Sequence, residues 1–178
     1  MVWEETILKT VCTKITDGEH GSVTRVEKGH PFLNAKHILK NGLIDWASVS
    51  FIDDEVYDKL RRRCNPEEND ILMTTTGTIG NIAIVTSSES FSMDRGITLL
   101  KIDHEQTDST FVACLLRFDG IQALMQANVH ASAIGHLFLN KVEQIPIILP
   151  PLKLQQQFST FVAEVDKSKL FSELEVAA

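Results

Sequence analysis

Residues 147–161, IILPPLKLQQQFSTF, constrain the fold more than any other segment. Pro150 and Pro151 lack a backbone N–H and fix φ, so neither sits inside a strand ladder, whereas proline is tolerated in the first turn of a helix. A short apolar strand therefore stops at the prolines and a Gln-rich amphipathic helix starts there. Leu154, Phe158, Phe161 and Val165 recur at spacings of four, three and four, the seam of a helix that packs along another helix. The seam weakens beyond Val165, where Ser168 and Ser172 take the next positions. The expected division is a globular domain over residues 1–150 and a spacer helix over residues 151–178.

With 178 residues, 43% of them hydrophobic, the chain is long enough for one domain with a proper core. No stretch reaches the length of a bilayer-spanning apolar segment, and the first residues, MVWEE, lack the basic start and apolar run of a signal peptide. A cytoplasmic protein with no membrane partner is expected. Cys12, Cys64 and Cys114 are odd in number and without CxxC spacing, which argues against a disulfide framework and a zinc knuckle. The formal net charge of −7 weighs against a polyanionic partner. The average hides an asymmetry: in residues 20–40, Arg25, Lys28, Lys36 and Lys40 face one acid, Glu27, while acids crowd residues 53–58 and 67–70. Since screening limits a charge's reach to roughly 8 Å at physiological salt, a local basic stripe still attracts phosphates.

Residues 4–15 read as an opening strand or a short helix-strand pair, and residues 15–23, ITDGEHGSV, as a turn-rich loop. His30-Pro31-Phe32-Leu33 is extended, and Asn41-Gly42 marks a hairpin between Ile38-Leu39 and Leu43-Ile44. Residues 53–63 form a helix with acids in its first turn and bases in its last. The runs DILMT (70–74) and NIAIVT (81–86) form a strand pair joined by a glycine-bearing turn, and residues 96–102 supply another strand. A helical pair over residues 111–125 breaks at Asp119-Gly120, residues 128–136 form a loop, Asn140 caps a single turn containing Val142, and residues 145–149 make a last buried strand. The fold class is α+β: a mixed, largely antiparallel sheet with short helices, followed by the spacer helix.

Chemistry-bearing clusters have bland alternatives. The glycine turn over residues 74–80 lacks the phosphate-loop pattern Gly-x-x-x-x-Gly-Lys-Ser/Thr, so a structural hairpin is favoured, with contact to a DNA backbone as the leading alternative. Asp17, Glu19 and His20, with His30 and His37, lack metal-ligand spacing, and no Gly-x-Ser-x-Gly elbow frames a nucleophile. No catalytic site, metal site or cofactor is expected. Arg61, Arg62 and Arg63 could contact phosphates, yet the last turn of a helix attracts bases for dipole reasons alone, and that reading is favoured. The aromatic residues sit in apolar contexts and read as core and seam rather than a base-stacking platform.

Four segments in order, ITDGEHGSV, HPFLNAKHILKNGLID, NDILMTTTGTIGNIAIV and SAIGHLFLNKVEQIPIILPPLKLQQQF, resemble the specificity subunits of type I DNA restriction-modification systems. The resemblance implies one target recognition domain and the start of the family's conserved helix. Such a domain reads one half of a bipartite duplex DNA target, while methyltransferase subunits and a restriction (motor) subunit do the chemistry. A full subunit carries two recognition domains, so the resemblance implies either the N-terminal half of a longer subunit or a half-length one that self-associates through the helix. Asn69 stands where the family commonly has glycine, a replacement that a turn tolerates.

Reading a duplex takes phosphate contacts for register and base-edge contacts for sequence. Lys28, Lys36 and Arg95 are the phosphate candidates, and His30, Thr75, Thr76, His130, Ser132 and His136 the base-edge candidates. Leu154, Phe158, Phe161 and Val165 are the candidates for helix packing against a partner. The competing reading is a protein-interaction module that docks through its helix without touching DNA. A hydrolase using Asp17 and His20 is a remote third.

Overall fold

The computed structural model describes residues 3–86, 90–129 and 135–176. Strand β1 (Glu4–Ile7) leads through a 3-10 turn (Leu8–Val11) into β2 (Cys12–Asp17). There follow β3 (His30–Leu33), a 3-10 turn (Ala35–His37), β4 (Ser50–Ile52), α1 (Asp54–Arg61), β5 (Ile71–Thr74), β6 (Ile82–Ile84), β7 (Ser92–Met93) and β8 (Ile97–Ile102). Helices α2 (Ser109–Arg117), α3 (Asp119–Ala127) and α4 (Leu139–Glu143), strand β9 (Pro146–Leu149) and the long helix α5 (Leu152–Val176) complete the described chain. The main sheet is antiparallel in the order β2-β8-β5-β6; a smaller one, β4-β3-β7, is mixed, and β1 pairs with β9.

The central pair is buried on both faces, so its side chains are apolar almost without interruption. Ile71 and Met73 of β5 and Leu100 and Ile102 of β8 face a core with Leu8, Val11, Phe111, Val112, Leu116 and Val142. Leu72, Ile97 and Leu99 face the opposite way, into a core with Leu33, Ile38, Val85, Phe91 and Met93. The period-two alternation of strand side chains makes that division automatic.

Several expectations needed correction. The break between α2 and α3 falls at Phe118, whose backbone is extended, and Asp119-Gly120 already belongs to the first turn of α3. Asn140 does not cap α4; it lies inside that helix, after Phe138. Strand β9 is only half buried, because it pairs on one side with β1 at the margin of the fold. The opening strand also extends to Asp17, two residues into the expected loop. Asn69 adopts φ +70°, a left-handed conformation that glycine or asparagine holds at least cost.

Helix α5 is tied to the domain by a polar clamp. Gln155 is fully buried; its Oε1 accepts from the Asp108 N–H (3.0 Å), and its Nε2 donates to the carbonyls of Pro150 (2.7 Å) and Gln106 (3.2 Å). Ser159 donates to the Asp108 carboxylate, and Phe158 meets Phe111 edge-on at 5.9 Å. The inward line of α5 is thus Gln155 and Ser159, while Leu154, Phe158 and Phe161 are 40, 40 and 61% exposed.

Lys101 points from β8 to Asp70 and Glu67, donating at 2.8 Å to each. Burial raises the Asp70 carboxyl above its ordinary range despite that contact, whereas the Lys101 hydrogen bond lowers exposed Glu67. Lys101→Ala leaves the buried carboxyl without a countercharge and is expected to cost about 3 kcal/mol near neutral pH. A group whose folded pKa is raised stabilises the fold below its unfolded pKa and loses that contribution as pH rises, so the deficit shrinks on acidification. Urea unfolding of parent and variant at about pH 7 and about pH 4 checks both size and sign. Gln155→Leu strands one N–H and two carbonyls and is expected to cost about 2 kcal/mol in the same assay.

Candidate nucleic-acid interface

Antiparallel pairing brings the C-terminal ends of β2 and β5 to the same end of the sheet as the N-terminal ends of β6 and β8. Three connections meet there: residues 75–81, residues 94–96 and residues 17–20. The first is held from behind by α3, where Gln122 Nε2 donates to the carbonyls of Gly80 (2.9 Å) and Leu116 (2.7 Å). Gly80 has φ +90°, a conformation that favours glycine, and a Cβ there would lie 2.4 Å from Gln122 Oε1 and displace that amide from its hydrogen bonds. The front of the turn pairs with a distant segment: Gly77 donates to the Gly135 carbonyl (3.0 Å), Leu137 donates to that of Thr75 (2.9 Å), and Thr76 Oγ1 shares a 2.7 Å hydrogen bond with His136 Nδ1. Gly77 and Thr78 are exposed beside them.

The turn over residues 94–96 carries Arg95 outward. Asp94 accepts from the Gly96 N–H (2.8 Å) and from the Asn34 side-chain amide, and Thr75 N–H donates to the Gly96 carbonyl (2.8 Å). Asn34 begins the 3-10 turn that bears Lys36. That turn is closed by His37, whose Nδ1 accepts from the Asn34 N–H (2.8 Å) while the Ser48 carbonyl lies 3.3 Å from Nε2. The proton therefore sits on Nε2. Burial, then the Lys36 charge, lower the His37 pKa and favour this neutral form.

The third connection is locked by close backbone approach. Glu19 N–H donates to the Met93 carbonyl (2.9 Å) and Arg95 N–H to that of Glu19 (2.9 Å). Asp17, nearly buried, accepts from His20 Nε2 (2.7 Å) and from the guanidinium of Arg63, which also donates to the Gly18 carbonyl at 3.3 Å.

Five candidates thus come together: Lys36 and Arg95 are exposed on the rim, Thr76 and His136 form one pair, and Thr75 lies beneath with its hydroxyl 3.1 Å from that of Thr98. Lys28 and His30 lie elsewhere, at the far end of β3. His30 stacks on Tyr57 at 3.9 Å with its ring nitrogens beside Asp54 Oδ1 (3.1 Å) and the Ser90 carbonyl (3.3 Å). His130 and Ser132 lie outside the described residues. Sequence reasoning separated Arg63 from Asp17 and His20, and a spacing of more than forty residues carried no signal that they meet.

The arrangement presents hydroxyl, imidazole and backbone groups between cations, the means to hydrogen-bond base edges while holding phosphates. Among the described residues no group of three or more His, Cys, Asp or Glu side chains could hold a metal, and no helix is long and apolar enough to cross a membrane. Burial pushes the thiols of Cys12 and Cys64 up to about 12 and about 11, which leaves them protonated and unreactive at neutral pH. Two clefts of about 490 and 500 Å³ lie elsewhere, one between α3 and α4 and the other beside Trp3 and Pro150.

Residues 14–175 match the family described as the type I restriction modification DNA specificity domain. The fold is similar to the S subunit of a type I restriction-modification system from M. genitalium (TM-score 0.63, 16% identity), with 98% of this chain and 42% of that one covered. It is also similar to the HsdS subunit from Thermoanaerobacter tengcongensis (TM-score 0.67, 16% identity, 99% of this chain and 45% of that one). A third similar chain comes from a structure concerned with assembly and conformational transition of the type I R-M system (TM-score 0.66, 20% identity, 98% and 44% covered). The chain spans less than half the length of each of these structures. No protein of curated function matches it.

The lock between β2 and the Arg95 turn is open to test. A Cβ on Gly18 would lie 2.1 Å from the Met93 carbonyl oxygen and 2.4 Å from that of Asp94, both backbone. Gly18→Ala is expected to destabilise the fold by at least about 2 kcal/mol. Gly21→Ala, whose Cβ meets only the Glu19 side chain, should stay within about 0.5 kcal/mol of the parent in urea unfolding.

Proposed function

The chain belongs to the type I restriction-modification DNA specificity domain family, and on that premise we propose that it reads one half of a split duplex DNA target. It directs methyltransferase subunits and a restriction subunit to that target and does no chemistry of its own. The observation that carries this reading is the convergence of three turns at one end of the sheet, with Lys36 and Arg95 on the rim and the Thr76–His136 pair between. Phosphates along a duplex engage the cations and fix register; the hydroxyl and imidazole reach base edges in a groove. Action on DNA is consistent with a cytoplasmic protein.

Helix α5 starts beside Asp108, at the opposite end of the main sheet from these turns. Its exposed Leu154, Phe158 and Phe161 supply a packing face for a second helix, in a methyltransferase subunit, a second recognition domain or another copy of the chain. The same stripe favours a second reading, in which the helix docks on a partner protein and the acidic domain never touches DNA.

Selection of a random duplex library on the purified chain at low salt separates the two. Enrichment of one short sequence is expected, and retention of no duplex, with or without a methyltransferase partner, favours the interaction module. Arg95→Ala should lower the slope of log K against log salt by about one without changing the selected sequence. An unchanged slope removes Arg95 from the interface.

A further inference from the structure

In the run Arg61 to Arg63 the sequence favoured helix-end electrostatics over phosphate contact for all three residues alike, and the fold singles out one of them. We propose that Arg63 is a phosphodiester contact flanking the reading turns, positioned by Asp17; this rests on the duplex-recognition reading above. Arg61, Arg62 and Arg63 are consecutive, yet the fold separates their roles. Arg61 lies 3.7 Å from Asp58 on the same helix, whereas Arg63 turns back to the end of β2, where it donates to Asp17 and to the Gly18 carbonyl.

That attachment occupies one edge of the guanidinium. Of its five N–H groups, two are used in these bonds, and His20 Nε2 lies 3.4 Å from the same guanidinium. The Asp17 side chain is 11% exposed and that of Arg63 is 51% exposed, so the carboxylate is the buried anchor and the cation reaches solvent. A planar guanidinium fixed along one edge by a carboxylate and a carbonyl has its remaining donors preorganised for a phosphate oxygen.

The surroundings favour an anion. Lys14 Nζ donates to the Arg63 carbonyl at 2.5 Å, a neutral acceptor that leaves its charge uncompensated. Arg95 stands on the neighbouring turn, joined through the Glu19 backbone. Of the acids of this end only Asp17 is buried and paired with a cation, Arg63; Glu19 accepts from the Gly21 N–H (2.7 Å) and Asp94 from Gly96 and Asn34, neutral donors that hold the carboxylates against their own turns. With Lys36, four cations face outward over three acids engaged with protein donors, on a chain whose formal net charge is −7. Lys14, Arg63 and Arg95 thus extend the rim beyond the turns, where the backbone of a duplex would continue.

The test is the salt dependence of duplex binding by the full chain, measured with the sequence enriched in the selection. Arg63→Gln is expected to lower the slope by about one and to weaken binding roughly five- to tenfold at about 0.1 M salt, with the preferred sequence unchanged. Arg63→Lys should retain the slope, and Arg62→Gln should leave both slope and affinity as in the parent. If Arg63→Gln fails to fold, by circular dichroism and thermal melting, the Asp17→Asn/Arg63→Gln pair is read in its place, since it removes both charges and leaves no buried carboxylate unpaired. A parental slope in the folded variant, or an equal change in Arg62→Gln, overturns the contact while recognition stands. Failure of the parent chain to bind any duplex overturns the recognition reading, and this contact with it.

Discussion

Burial of β5 and β8 on both faces is the constraint from which the remaining structure follows. A strand with apolar side chains above and below needs a layer on each side, and the chain supplies two unlike ones. Helices α2 and α4 and the 3-10 turn of residues Leu8–Val11 cover one face; the small sheet and the loops around Ile38 and Trp46 cover the other. Because neighbouring strands are antiparallel, their connections are confined to the two ends of the sheet. One end collects the turns with hydroxyl groups and cations; the other collects Asn69, Asp103 and Asp108 and receives the helix.

The two ends are stabilised differently, and the difference suits the roles proposed for them. At the helix end, Gln155 meets one backbone donor and two acceptors inside the protein, so α5 is held in a single direction by directional bonds. At the other end the backbone is pinned by Asp94, Gln122 and the Gly18 approach, while Arg95, Lys36 and Thr78 remain outside. A preorganised backbone beneath exposed polar side chains limits the ordering cost of binding.

How far the sequence could be read depended on the range of the interaction. The Asn41-Gly42 turn, the helix expected over residues 53–63 and the strand pair on either side of the Thr75 turn are local, and each is present, although Asp53 proves to be the cap of a helix that ends at Arg61: Gly42 has φ +87° and Asp53 accepts from the Val56 N–H at 2.8 Å. The order of motifs pointed to the specificity family, and the match over residues 14–175 agrees. The misreadings lie where tertiary packing chose between local options. Asn140 is a good capping residue by type, yet the helix starts one residue earlier because Phe138 is extended there. The line of Leu154, Phe158 and Phe161 has the spacing of a seam for a further helix and is exposed, while the attachment of α5 to the domain rests on Gln155, which no periodicity marks.

The sequence by itself determined the element types, the proline boundary before α5, the α+β class and the family, because these rest on periodicity, backbone restriction and the order of segments along the chain. The tertiary structure alone decided which distant side chains meet: Thr76 with His136, Asn34 with Asp94, Arg63 with Asp17. Each pair is more than forty residues apart, and a short polar side chain in a loop carries no periodic signal to mark its partner. Only the closing of the sheet, driven by burial of its apolar strands, sets these groups side by side and turns scattered polar residues into one surface.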